Sequence, residues 1–200
     1  MKKSLSALCA ITLVLTMGGC KKEETPPPAP KEEQVAIIKN EVYEAPVNPN
    51  NVQAKAYNEL TGALKGKKED KDIAGLVANM FILDFFSLSN KASADEIGGM
   101  TYLPKDKAEE FKDYAKLNYY AQYPMVVNEY SKEDLPCVNE TKLNFNNEVS
   151  LVYKGQVYDG YEVSYELTYA TTKVEAAKLK KTVKISIIKI DDVLRVIKAE

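Results

Sequence analysis

The sequence predicts an α+β fold in which helices come first along the chain and pack on a curved antiparallel sheet. Two observations support this prediction. Apolar residues recur at helical spacings of three and four in the first half of the chain, whereas beyond Pro136 the apolar period changes to two. Residues 161–169 (YEVSYELTY) then alternate apolar and polar side chains without a break, as a strand with one buried face does. Helices followed by strands are typical of an α+β domain.

Residues 1–19 are predicted to be a signal peptide. Lys2 and Lys3 precede the apolar run LSALCAITLVLTM, which is too short for a spanning helix because such a helix needs about 20 apolar residues. The following MGGC, which ends at Cys20, resembles a bacterial lipobox. The resemblance implies that Cys20 is acylated and anchors the protein to the extracytoplasmic face of the cell membrane. An ordinary signal peptide followed by an incidental cysteine is the alternative.

Residues 20–51 are predicted to form a lipidated, disordered tether. The stretch KKEETPPPAPKEEQ is too charged and too rich in proline to bury apolar surface. Residues 35–42 (VAIIKNEV) are more apolar, and we expect them to dock either on the domain or on the membrane surface. The globular domain is expected over residues 52–200.

Charge and cysteine content narrow the partners of the mature chain. Loss of Lys2 and Lys3 with the signal peptide leaves 25 basic against 29 acidic residues, a net charge of about −4, which argues against nucleic acid as a partner. With Cys20 acylated, Cys137 is the only thiol left, so no internal disulfide forms. Cys137 is predicted to be a small buried hydrophobe, and an intermolecular disulfide is the alternative.

Three helices are predicted, at residues 51–64, 72–88 and 104–123. The second is apolar almost all round, so it should be the most buried element, and Asp72 is placed to cap it. Ser93 to Glu96 fits a capping box for one short helical turn. Pro104 is expected to open the third helix and Pro124 to follow its end.

Four strands are predicted in an antiparallel meander, at residues 148–153, 161–169, 182–190 and 193–198. Gly155 and then Asp159-Gly160 predict the connection between the first two strands, and Asp159-Gly160 is the stronger hairpin signal. Residues 173–181 are expected to be a charged loop, and Asp191-Asp192 joins the last two strands.

This element order resembles the nuclear transport factor 2-like superfamily, in which a bent sheet wraps a long helix to form a cone. The resemblance covers residues 52–200 and rests on YEVSYELTYA and KKTVKISIIKIDDVLRVIKAE. The second stretch is similar to the family's closing hairpin, with Leu194 where a tryptophan is often found. The pieces DFFSLSNK and EIGG also resemble a pattern in uncharacterised lipoproteins of low-GC Gram-positive bacteria, which carries no known activity.

Several kinds of chemistry have no support in the sequence. The chain contains no histidine, the commonest general base and the usual zinc ligand. It has no glycine-rich phosphate loop and no calcium-loop spacing. We therefore predict no metal, no cofactor and no enzymatic activity.

Asp84 stands out because it lies in the apolar run FILDFFSL on the stripe of the second predicted helix. A carboxylate buried there needs partners. Backbone amides of residues 97–99, Asn90, Lys91 or a tyrosine hydroxyl would give it a structural role. The superfamily resemblance implies the alternative, an isomerase-like or hydrolase-like enzyme with Asp84 as base in a cone pocket and a tyrosine as oxyanion donor.

The tyrosines are the second candidate feature, since thirteen tyrosines stand against five phenylalanines and no tryptophan. Tyr161, Tyr165 and Tyr169 share one face of a predicted strand. They either line a pocket for a sugar or a lipid-like ligand, or cover the sheet against the helices. We expect a non-catalytic, membrane-anchored domain that binds an envelope protein or a small apolar or sugar ligand.

Overall fold

The two apolar periods of the sequence form helices and then a sheet in the computed structural model, which describes residues 33–200. Within this range the fold is α+β, as predicted. The helices are α1 (Asn51–Lys65), α2 (Asp70–Phe86), α3 (Ala108–Asn118) and α4 (Tyr123–Glu129); the strands are β1 (Val138–Tyr153), β2 (Gln156–Tyr169), β3 (Thr182–Ile190) and β4 (Val193–Ala199). The predicted signal peptide, Cys20 and the first part of the predicted tether lie outside the described residues.

The sheet is an antiparallel meander in the order β1-β2-β3-β4, and α2 packs across all four strands. Because α2 has apolar side chains all round, the sheet covers one side while α1 and the α3 segment cover the others. Each large apolar side chain buried in this way contributes about 1.5–3 kcal/mol. The prediction that this helix is the most buried element is confirmed. Its large buried side chains are Ile73, Val77, Met80, Phe81, Ile82, Leu83, Phe85 and Phe86.

Helix α1 begins and ends where the sequence predicts. Asn50 caps it, because its Oδ1 accepts the Gln53 N–H at 2.8 Å while Gln53 Oε1 accepts the Asn50 N–H at 3.0 Å. Gly66 forms the C-cap. Helix α2 begins two residues earlier than predicted, with Glu69 at the N-cap position, so Asp72 lies in the first turn and does not cap it.

Residues 33–50, which we call the arm, differ from the predicted tether because they pack on the domain. Tyr43 is 2 % exposed. Its hydroxyl donates to the Leu194 carbonyl at 2.8 Å, and its own carbonyl accepts the Tyr57 hydroxyl at 2.6 Å. Ile38 N–H donates to Asn58 Oδ1 at 2.7 Å. Of the two docking surfaces expected for residues 35–42, the structure uses the domain, and the packed unit therefore begins at residue 33.

The predicted third helix, residues 104–123, is shorter in the structure, and the helix α4 that follows it was not predicted. A 3-10 turn over Lys105–Lys107 leads into α3, and α4 follows after a short break. Pro124 lies in the first turn of α4, where the missing N–H is not needed, so it helps to begin a helix. The capping box at Ser93 and Glu96 forms a turn without a helix. Glu96 Oε2 accepts the Ala92 N–H at 2.8 Å in that turn.

Strand β1 begins ten residues before the predicted strand, at Val138 instead of Glu148. It is an edge strand, and most residues of its first half are exposed on both faces. The stretch NETKLNFNNE contains only two large apolar residues, Leu143 and Phe145, which are too few to give a strand signal. The pairing with β2 shifts register twice, near Val138 and between Leu143 and Phe145.

Asp159-Gly160 does not form the hairpin turn, so that prediction is wrong. Lys154 and Gly155 connect β1 to β2, and Gly160 lies inside β2 opposite Ile188. A Cβ at position 160 would lie 2.4 Å from the Ile187 carbonyl oxygen. Glycine is required there because the strands approach closely.

Candidate functional site

A cavity of about 350 Å³ opens at the C-terminal end of α2. It lies between the α3–α4 segment and the loop that follows β2. Its volume is at the lower end of the range of about 300–1,000 Å³ typical of ligand sites. We call it the aromatic cavity. Its apolar wall is formed by Phe85, Phe86, Leu88, Val126, Leu135 and Val174.

The rings around the aromatic cavity are held edge to face. Tyr119 packs at 72° against Phe85 and at 88° against Phe86, with ring centroids 5.1 and 5.9 Å apart. Tyr169, at the end of β2, also lines the cavity, and no hydrogen bond joins its hydroxyl to another described residue. Burial and the neighbouring Tyr119 raise the pKa of Tyr169 well above its ordinary value. The hydroxyl therefore stays protonated at neutral pH and can donate a hydrogen bond to a ligand.

Lysine side chains lie at the mouth of the aromatic cavity. Lys178 and Lys180 belong to its lining, which contains no aspartate or glutamate. Lys178 forms an exposed ion pair with Glu175 at 3.8 Å, and Lys180 has no carboxylate partner among the described residues. An exposed ion pair stabilises a protein by only about 0–1 kcal/mol. Lys178 can therefore leave Glu175 and turn toward a ligand at little cost in free energy. The lining therefore carries two ammonium groups and no carboxylate, with Glu175 beside Lys178 outside the lining.

The loop that carries these lysines, residues 170–181, is fixed at both ends by the backbone. Ala170 N–H donates to the Cys137 carbonyl at 2.9 Å and Leu167 N–H donates to the Lys181 carbonyl at 2.8 Å. Between these points Val174 and Leu179 turn toward the cavity. These backbone hydrogen bonds hold the whole loop beside the aromatic cavity, and this places the two lysines at its mouth.

Asp84 has the structural partners that the sequence predicted. Its Oδ1 lies 2.5 Å from Lys91 Nζ, and its Oδ2 accepts the Gly99 N–H at 2.7 Å. Asp84 is 8 % exposed and Lys91 1 %. Asp84 does not belong to the lining of the aromatic cavity. Both carboxylate oxygens are therefore engaged within the fold.

The contacts of Asp84 join the end of α2 to residues 87–99, and we call this arrangement the Asp84–Gly99 lock. A Cβ on Gly98 would lie 2.0 Å from the Asp84 carbonyl oxygen, so only glycine fits there. Gly98 N–H donates to the Tyr120 hydroxyl at 3.1 Å, and that hydroxyl donates to the Phe85 carbonyl at 2.8 Å. Since Phe85 lines the aromatic cavity, the lock also positions its wall.

Tyr161, Tyr165 and Tyr169 were expected either to line a ligand pocket or to cover the sheet against the helices, and the structure shows both cases. Tyr165 is buried and its hydroxyl donates to the Gly75 carbonyl at 3.1 Å, so it covers the sheet against α2. Tyr169 lines the aromatic cavity. Tyr161 is partly buried near the middle of β2 and lines a separate open depression. Tyr161 lies eight positions before Tyr169, about 26 Å along the strand.

Sequence analysis did not identify the lysines of the site. It placed residues 173–181 in a charged loop and assigned that loop no role. The available signal was the presence of Val174 and Leu179 among the charged residues of this loop. Large apolar side chains in a loop usually pack on the domain, so they indicate that the loop lies against it.

Cys137 is half-buried, and its Sγ accepts a hydrogen bond from Asn50 Nδ2 at 3.2 Å. Within residues 33–200, no three histidine, cysteine, aspartate or glutamate side chains are arranged to hold a metal ion. In the same range, none of the helices combines the length and the apolar character needed to cross a membrane.

No protein-family model matches this chain, and neither a curated protein nor a solved structure shows significant similarity to it. Fold and site together define an α+β domain with an aromatic cavity and a lysine-bearing mouth. The resemblances to the nuclear transport factor 2-like superfamily and to Gram-positive lipoproteins stay predictions.

Proposed function

We propose that this chain is an extracytoplasmic lipoprotein, anchored through Cys20, whose domain binds a small ligand without catalysing a reaction. The observation that supports ligand binding is the aromatic cavity. It combines an apolar wall, a tyrosine hydroxyl without a partner among the described residues and two lysines at the mouth, which is the composition of many small-molecule sites.

The contacts of Asp84 support the non-catalytic alternative. A general base must have an oxygen within hydrogen-bond reach of its substrate. Both oxygens of Asp84 already bond to Lys91 and Gly99, and the side chain does not line the aromatic cavity. The lining of that cavity contains neither a carboxylate nor a histidine that would serve as base in its place.

Binding is tested with N-phenylnaphthylamine, a neutral apolar dye whose fluorescence rises in an apolar site. Val174→Trp places an indole in the aromatic cavity from its loop side, where Val174 is only partly buried. Val157→Trp, at an exposed position 72 % accessible on the hairpin, is the matched control. We expect the wild type and the control to bind the dye, and Val174→Trp to bind it at least about tenfold more weakly, a loss of about 1.4 kcal/mol.

The melting temperature of each variant shows whether the domain still folds. Equal dye binding by a folded Val174→Trp and by the control would contradict the assignment of the site. The anchor is tested separately by the mass of the mature native protein, in which an unmodified Cys20 would contradict acylation. Cys20→Ser is expected to prevent membrane retention.

A further inference from the structure

The charge and polarity of the aromatic cavity restrict the ligand. Lys178 and Lys180 give the mouth one sign of charge with no lining carboxylate. The amides of Asn118 and Gln122 also line the cavity, but most of the lining at the end of α2 is apolar, as at Phe85 and Phe86. Each sugar hydroxyl buried against this apolar part without a partner would cost about 1–3 kcal/mol. A molecule with an apolar body and one anionic head group satisfies both parts of the site.

The position of the arm places this cavity near the predicted anchor. Asn51 Nδ2 donates to the Glu33 carbonyl at 3.1 Å, where the described chain begins. The neighbouring Asn50 Nδ2 donates to Cys137 Sγ at 3.2 Å, and Pro136, which directly precedes Cys137, lines the aromatic cavity. Residue 33 therefore lies at the same end of the domain as the cavity.

The length of chain before the arm limits how far the cavity can lie from the anchor. Twelve residues lie between Cys20 and Glu33, and a fully extended chain of that length spans at most about 45 Å. With the lipid on Cys20, as in the proposed function, the mouth stays within reach of the bilayer surface.

Exposed apolar side chains lie next to the site along the chain. Leu117 is 78 % and Met125 55 % exposed, and they adjoin Asn118 and Val126, which line the cavity. Large exposed apolar groups are typical of surfaces that touch the head-group region of a membrane. This surface favours a ligand that comes from the bilayer.

We infer that the aromatic cavity takes a long-chain carboxylate, a fatty-acid-like amphiphile from the membrane. Its hydrocarbon chain packs on Phe85, Phe86 and Leu88, and its carboxylate lies between Lys178, Lys180 and the Tyr169 hydroxyl. The inference rests on the proposed function and adds the ligand class to it.

The test is displacement of N-phenylnaphthylamine by decanoate and by decanol, which have the same chain length and differ in head-group charge. We expect decanoate to displace the dye at a concentration about tenfold lower, or about 1.4 kcal/mol. Lys178→Gln/Lys180→Gln should abolish this difference. Lys67→Gln/Lys68→Gln, an equal change of charge in the exposed loop after α1, should preserve it.

The outcomes separate the inference from the proposed function. Equal displacement by decanoate and decanol, with dye binding still blocked by Val174→Trp, overturns the carboxylate and leaves the ligand site standing. Dye binding that Val174→Trp does not change overturns the site itself. A charge preference that persists in Lys178→Gln/Lys180→Gln, or that Lys67→Gln/Lys68→Gln abolishes equally, also refutes the assigned head-group position.

Discussion

Lys91→Met tests the Asp84–Gly99 lock at its most buried point. Methionine keeps an apolar stem of similar length and removes the ammonium. The Asp84 carboxylate then keeps one hydrogen bond, from the Gly99 N–H, at a site where the lysine is 1 % exposed. Because the surroundings stay closed, water does not replace the lost partner.

The expected magnitude follows from this burial. Removing one partner of a buried ion pair costs about 3–5 kcal/mol, whereas exposed pairs contribute about 0–1 kcal/mol. We expect the first range for Lys91→Met. In a protein of this size each kcal/mol lowers the melting temperature by about 2–4 °C, so the fall should be about 6–20 °C.

Urea unfolding followed by circular dichroism measures the free energy of unfolding. Lys116→Met is the matched control, since Lys116 Nζ lies 2.6 Å from Asp95 Oδ1 in an exposed pair. Asp84→Asn, alone and combined with Lys91→Met, completes a double-mutant cycle. We expect the double variant to be more stable than the sum of the single changes predicts, by about 1–3 kcal/mol.

Two results would refute this reasoning. One is a loss of stability in Lys91→Met no larger than in Lys116→Met. The other is additivity of Asp84→Asn and Lys91→Met, which would show that the two side chains do not stabilise the lock together.

Three further predictions follow from contacts described above. Gly98→Ala should destabilise the domain by more than about 3 kcal/mol, because the new Cβ would overlap the backbone of Asp84. Gly62→Ala is the control and should stabilise α1 by about 0.5–1 kcal/mol, because a Cβ there meets nothing within 4 Å. The urea midpoints of the two variants measure these effects, and equal midpoints would contradict the close approach at Gly98. Burial raises the pKa of Tyr165 to about 12, so above about pH 10 the unfolded chain loses this proton first and stability falls as the pH rises toward 12. Tyr165→Phe should flatten that fall in urea titrations at about pH 9 and about pH 11, and an unchanged slope would exclude Tyr165 as a source. Tyr43→Phe should cost about 1 kcal/mol and speed amide exchange in the arm; unchanged exchange would mean that the hydroxyl does not hold it.

Much of the fold was predictable because its elements bury apolar side chains in a regular pattern. Helix α2 was recognisable because it is apolar almost all round, and β3, β4 and residues 161–169 of β2 because apolar and polar residues alternate in them. The first half of β1 was missed because this edge strand is mostly exposed and has only Leu143 and Phe145 as large apolar side chains after Val138. The sequence marked residues 35–42 of the arm as a docking segment but did not choose between the domain and the membrane, and it gave no sign of Tyr43, which is buried in the domain.

The candidate site was predictable only in part, for a related reason. Tyr169 followed from the alternation of β2, and the partners of Asp84 followed from its place in an apolar helix. Lys178 and Lys180 could not be placed, since their loop is positioned by backbone bonds to residues 134–137, about 40 positions away in sequence. Sequence periodicity reports local burial and carries no information on such distant pairings.

The docked arm also decides how the domain responds to tension. A pull on its amino-terminal end first loads the polar bonds to Asn51 and Asn58 along α1, and only then the two hydroxyl bonds that hold Tyr43. These side-chain bonds are few, while the helices and the sheet behind them are held by full ladders of backbone bonds. Under a pulling force the arm, about eighteen residues long, should therefore detach and extend before the helices and the sheet unfold.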